Sequence, residues 1–207
     1  MNTTPAAVIE YWIGDVLRDV AFLDSAFKRW FNGGDAVDTE IRERFGAAVE
    51  IALEGGLREW EDTIRDSLAL VILLDQFPRN IHRSTPRAFA GDDRALAIAQ
   101  RWQDSRDFTA LDYPEQVFLL MPYQHVEEID TQEEGVRRFR ALEDEACQTG
   151  APCAVVKWLA ATREYAELHR DIIARFGRFP HRNRILERES TAEETAWMEE
   201  GGQNFGQ

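Results

Sequence analysis

The chain is poor in cysteine, in positive charge and in long apolar runs, and each shortage excludes something. Its two cysteines, Cys147 and Cys153, flank Gly150 and Pro152, and no histidine or second cysteine pair completes a metal signature around them. They read as free thiols of a reducing compartment, so a disulfide-built secreted domain is not expected. Lysine and arginine number 24 against 38 aspartates and glutamates, for a formal net charge of −14. A field of that sign repels phosphate backbones and anionic lipid heads, so neither nucleic acid nor a membrane surface is an expected partner. The longest apolar run is Leu68 to Leu74, far short of the ~20 residues that cross a bilayer. The opening Met1-Asn2-Thr3-Thr4-Pro5 has no basic stretch before an apolar one, so it does not read as a secretory signal. Gly-x-Gly-x-x-Gly, the Walker loop and the Gly-x-Ser-x-Gly elbow are all missing. A cytoplasmic protein is expected, with no cofactor and no resident metal.

What is present is helical periodicity almost throughout. Thr4-Pro5 supplies a cap and a first-turn proline. Phe22, Leu23, Phe27, Trp30 and Phe31 precede a stop at Gly33-Gly34. Asp38 reads as the cap of a helix with Ile41, Phe45, Val49 and Leu53 on one stripe. From Thr63 to Phe77 the pattern is apolar nearly all round, which predicts a central helix, stopped at Pro78 because proline cannot donate to the i−4 carbonyl. Thr85-Pro86, Asp92 and Tyr113-Pro114 are further starts, and Pro122 leaves a bend over Tyr123 to His125. Thr131-x-x-Glu134 and Thr191-x-x-Glu194 read as capping boxes. Pro152 opens the longest helix, which Gly177 ends. With no alternating strand, the expectation is an all-α single domain over residues 1–200, of eight or nine helices, with a disordered tail over 201–207.

Several of these stretches together resemble a known family. They are Leu73-Leu74-Asp75-Gln76-Phe77-Pro78-Arg79-Asn80-Ile81-His82-Arg83, Thr85-Pro86-Arg87-Ala88-Phe89-Ala90, Pro122-Tyr123-Gln124-His125-Val126-Glu127, and Phe176-Gly177-Arg178-Phe179-Pro180-His181-Arg182-Asn183. Tyr11-Trp12-Ile13-Gly14 looks like a variant of the same family's Phe-Trp-Phe-Gly opening. The family is the bacterial domain of unknown function 924. The resemblance implies a helical fold similar to the tetratricopeptide-like superhelix and supplies no activity. Where the family's usual bend reads Pro-Phe-Met-His-Ser-Glu, Val126 stands in place of the serine, so a role for that hydroxyl does not carry over.

Two segments share a chemistry. Phe77-Pro78-Arg79-Asn80 and Phe179-Pro180-His181-Arg182-Asn183 each lead through an arginine, Arg83 or Arg188, to a Ser-Thr pair. They lie about three tetratricopeptide periods of ~34 residues apart. Between Arg170 and Arg188 six arginines face two acids. Planar, permanently charged guanidinium groups suit carboxylate and phosphate. One reading is therefore an anion pocket holding Asp75, Arg79, Asn80, Arg83, Arg178, Arg182 and Asn183. The competing reading is that these arginines neutralise the protein's own acids, Asp75 above all, because it follows the apolar run directly.

His125, beside Glu127 and Glu128, is a candidate general base, with His181 as the other acid-base candidate. A weaker alternative gathers His125, Glu127, His169 and His181 around a metal as a metal-dependent enzyme, although no ligand spacing backs it. Binding of a small anionic molecule is expected ahead of catalysis. The other class of function is a helical scaffold for a partner peptide, and an apolar helix face leaves room for a homo-oligomer.

Overall fold

The computed structural model describes residues 3–205, apart from the side chains of Leu17, Val20 and Asn32. Among the described residues every regular element is helical and none is a strand. The order is α1 (Pro5–Arg18), α2 (Leu23–Asn32), α3 (Gly34–Leu53), α4 (Ile64–Val71), a π-turn (Ile72–Gln76), α5 (Phe77–Ile81), α6 (Asp92–Trp102), α7 (Arg106–Thr109), α8 (Tyr113–Leu120), α9 (Ile129–Thr149), α10 (Cys153–Phe176) and α11 (Ala192–Glu199). Short 3₁₀ turns join several of them, including Pro86–Phe89, Met121–Gln124 and Pro180–Arg182. No helix of the described residues is long and apolar enough to cross a membrane.

The all-round apolar stretch is central, as its pattern predicts: Leu68 through Leu74 are buried. Trp12 of α1, Phe77 and Phe118 of α8 meet edge-on beside it. The Trp30 indole donates to the Trp12 carbonyl at 2.8 Å, which ties α2 to α1. Helices α9 and α10 pair along their length across the turn at Gly150, whose φ of +70° closes α9 in the left-handed conformation that glycine adopts without strain.

Three local readings differ from the structure. Pro78 does not stop the central helix. Its missing N–H would break the i−4 ladder and its ring would press on the Leu74 carbonyl. The chain instead widens into the π-turn, where the Phe77 amide donates to the Ile72 carbonyl, and Pro78 becomes a first-turn residue of α5. Gly91 packs against the Leu74 backbone there, so closely that a Cβ would collide with that carbonyl oxygen. Asp38 is not a cap: α3 begins at Gly34, and Asp38 is a buried residue within it. Thr131 is not a cap either. Helix α9 starts two residues earlier, and the Thr131 hydroxyl turns back to Glu128. A capping box forms instead at Asp112 and Glu115, while the one read at Thr191 and Glu194 is present.

The tail read as disordered from Gly201 runs back over the body of the protein. The Phe205 ring stacks on His169 with centroids 3.9 Å apart. Gly206 and Gln207 lie outside the described residues.

Candidate functional site

The two Phe-Pro segments converge. Arg79 of α5 forms a fork-to-fork pair with Asp92 at the start of α6, both nitrogen–oxygen distances being 2.9 Å. Arg182 approaches the same carboxylate at 3.7 Å. The 3₁₀ turn at Phe89 sits between the segments, with the Arg182 guanidinium 4.4 Å from the Phe89 ring and 4.5 Å from that of Phe179. Asp92 reads from sequence only as a helix start, and Phe89 only as an apolar residue. Nothing in their spacing signals that one acid serves two arginines a hundred residues apart.

A cavity of about 680 Å³ opens beside this junction. Gln76, Arg79, Asn80 and Arg83 line it from the first segment, and His181 and Arg182 from the second. His125 and His169 add two more imidazoles, with ring centroids 6.1 Å apart. Aromatic rings also line it, from Phe27, Trp30 and Phe31 of α2 and from Trp158 and Tyr165 of α10. Gln203, Asn204 and Phe205 of the tail complete the lining.

The expected site residues divide. Arg79 binds Asp92 and also the Asp75 carbonyl at 2.6 Å, with the Asp75 carboxylate 3.3 Å away. Asn80 donates to Asp38 at 2.8 Å, and Arg83 bonds both oxygens of that carboxylate. Arg178 and Asn183 do not line the cavity. Arg178 pairs with both Glu194 oxygens on the far side of the second segment. Buried Asn183 donates to Ser190 and accepts from Arg188, a scaffold for its own loop. Glu127 is likewise structural, taking the Arg188 fork and the Phe179 amide. These contacts hold its carboxyl below the ordinary range although burial alone would raise it.

The carboxylate partner of His125 is therefore neither Glu127 nor Glu128. It is Asp75, whose Oδ1 lies 2.6 Å from His125 Nδ1. Asp75 is fully buried in the π-turn, and the Gln76 amide caps its second oxygen. Burial would raise this carboxyl, but His125 and Arg79 outweigh it and the group stays ionised. Burial and the Arg79 charge push the His125 pKa down, against the opposing pull of Asp75. Burial lowers His169 well below the usual imidazole value, and the His125 charge adds to it; its Nδ1–H donates to the Tyr165 carbonyl at 2.7 Å. His181 falls to about 3 through burial and then through Arg182. In all three imidazoles burial disfavours the charged form.

Arg182 is the exception among the cations. Its side chain is 8 % exposed, and among the described residues its carboxylate contact is the 3.7 Å approach to Asp92. Its Nε–H has no acceptor among them. Burial first, and then the like charge of Arg79, lower its pKa to about 10. The metal alternative loses Glu127 to Arg188, and among the described residues no group of three or more His, Cys, Asp or Glu side chains is placed to hold an ion.

Comparison with known proteins adds kinship without chemistry. A family model described as a bacterial protein of unknown function, DUF924, matches residues 8–202. The chain is similar to a solved protein of unknown function from Agrobacterium tumefaciens, with 33% identity over 95% of this chain and 97% of that one and a TM-score of 0.73. No functionally curated protein matches.

Proposed function

Since the chain belongs to the DUF924 family of bacterial proteins of unknown function, which hands down no activity, we propose from the geometry that it binds a small monoanion carrying an apolar body. The anionic end meets Arg182 beside Asn80 and His181, and the apolar body lies against Trp30, Trp158 and the phenylalanines of α2. The observation that carries this reading is the buried, incompletely bonded guanidinium of Arg182 in the lining of a cavity that also holds imidazoles, amides and aromatic rings. Arg79 and Arg83 act as walls, because Asp92 and Asp38 hold them. Calorimetric titration with phenylacetate, phenyl phosphate and uncharged phenylethanol tests it. Phenylacetate is expected to bind, phenyl phosphate, largely a dianion at neutral pH, to bind more weakly, and the alcohol not to bind. Arg182→Met is expected to weaken the anions about ten-fold or more, the size of a charge-assisted hydrogen bond. Equal binding of the alcohol ends the reading.

A second reading rests on Phe27 and Phe31, whose rings meet at 4.9 Å and stay 39% and 45% exposed at the cavity mouth. They suit a partner peptide with an aromatic or aliphatic anchor, in the manner of the tetratricopeptide-like scaffolds that the family resemblance suggests by analogy. Phe31→Ser that abolishes peptide capture while leaving phenylacetate binding intact favours the scaffold.

A further inference from the structure

Binding alone makes no use of the pairing between Asp75 and His125. The hydrogen bond to Asp75 places the imidazole proton on Nδ1 and leaves the lone pair on Nε2. Nε2 has no hydrogen-bond partner among the described residues, and the ring is part of the cavity wall. Asp75 cannot turn away, because Gln76, Arg79 and the backbone of a π-turn hold it from three sides. Such turns recur at functional sites because they reset which side chains share a helix face.

We propose that the cavity is a hydrolytic site, in which His125, positioned by Asp75, is the general base toward a water molecule that attacks an ester whose separate anionic end is held by Arg182. This rests on the binding reading above. Water is the nucleophile because among the described residues the lining contains no serine or cysteine, and its threonine, Thr162, donates its hydroxyl to the Trp158 carbonyl at 2.9 Å. The substrate class follows from the charge. One incompletely neutralised guanidinium matches one negative charge, whereas a phosphoester dianion asks for more than one.

In the step, His125 Nε2 takes a proton from water as the water oxygen bonds to the ester carbon. The carbonyl electron pair moves onto its oxygen. When that pair returns, the bond to the alcohol breaks and the leaving alkoxide takes the proton from the imidazolium. Ester and water enter, acid and alcohol leave, and no other reactant is needed. Asp75, Arg79, Asp92 and His169 are the charged and titratable groups around the imidazole. Their balance with burial keeps the base form present through neutral pH, so the rate is flat there and falls only in acid, below the ordinary imidazole value.

The test uses mono-para-nitrophenyl glutarate as substrate and the matching para-nitroanilide as a slowly cleaved analogue. Wild type is expected to release nitrophenol, and His125→Gln to lose about 10²–10⁴-fold in kcat while binding the anilide as wild type does. If both proteins bind the anilide and hydrolyse the ester equally, the catalytic claim falls and the binding reading stands. If wild type does not bind the anilide, both fall. Nitrogen-15 imidazole spectra of unaltered protein decide the matter independently of any variant's folding. His125 is expected as the neutral Nδ1–H form at pH 7, and a cationic ring or an Nε2–H form overturns the proposal.

Discussion

The two Phe-Pro segments carry nearly the same letters and fold differently. In the first, Pro78 is absorbed into a continuing helix because the preceding residues are buried on every side and the chain has nowhere else to go. In the second, Gly177 has already ended α10 at a φ of +69°, so Pro180 opens a single 3₁₀ turn. The chemistry diverges with the backbone. Arg79 is locked by two carboxylates, and Asn80 and Arg83 by a third. In the second segment Arg178 and Arg188 are locked, yet Arg182 is not. A shared motif therefore fixes which groups are available, and the packing around it decides which are already committed.

The largest way to break the contrast is to remove the acid both segments share. Asp92→Asn leaves two guanidinium groups facing each other in a buried site with no carboxylate between them. A loss of about 3–5 kcal/mol is expected, as when one partner of a buried ion pair is deleted, read from urea denaturation. A loss under about 1 kcal/mol, the level of an exposed pair, means that Asp92 is not the common hinge.

Next comes the backbone device of the first segment alone. Gly91→Ala pushes a methyl group into the Leu74 carbonyl. The π-turn or α6 has to shift, at about 2–3 kcal/mol in the range of core overpacking. Hydrogen exchange resolves the cost by place. Protection is expected to fall most from Ile72 to Ile81 and to change less around Pro180, where Glu127 and Glu194 add a brace that the first segment does not have.

The helical class was legible because period is written into every long element, from α1 to α10. The shared letters of the two segments are the one sequence sign of their convergence, and Arg79, Asn80, Arg83, His125, His181 and Arg182 do line one cavity. The pairing of Asp75 with Arg79, four residues on, was within reach of the helical period. The other partners were not legible: Arg79 to Asp92 spans 13 residues, Arg83 to Asp38 45 and His125 to Asp75 50, and sequence offers no ruler for contacts that long. Glu127 and Arg178 were drawn toward the site by proximity in sequence, although each faces its own loop. The π-turn was hidden because its residues are those of an ordinary buried helix, and only the proline after them forces the extra residue.

The brace of the second segment gives a pH signature. Glu194 is almost fully buried, caps α11 and takes the Arg178 fork, and Arg178 leads the causes that hold its carboxyl at about 2. A depressed carboxyl contributes stability above its ordinary range and loses it as pH falls toward the depressed value. Glu194→Gln removes that contribution, at about 2 kcal/mol for a charge-assisted cap. Acid titration of wild type followed by the Trp197 environment is expected to loosen α11 between roughly pH 4 and 2. In Glu194→Gln the same change is already present at pH 6. Unaltered protection of α11 in that variant refutes the brace.

The smallest expected effect is also the most discriminating. Arg182→Met removes a cation that burial and Arg79 both disfavour and that Asp92 meets only at 3.7 Å. It gives up the contacts with the Phe89 and Phe179 rings, worth about 0.5–2 kcal/mol. It recovers a comparable amount by relieving a poorly compensated buried charge. The net change is expected within about 1 kcal/mol of zero by thermal denaturation, whereas Arg79→Met costs about 3 kcal/mol by stranding Asp75 and Asp92. A buried arginine that adds nothing to stability leaves its charge available to a ligand. Equal destabilisation by the two substitutions makes Arg182 one more internal ion-pair partner and removes the reason to place a ligand there.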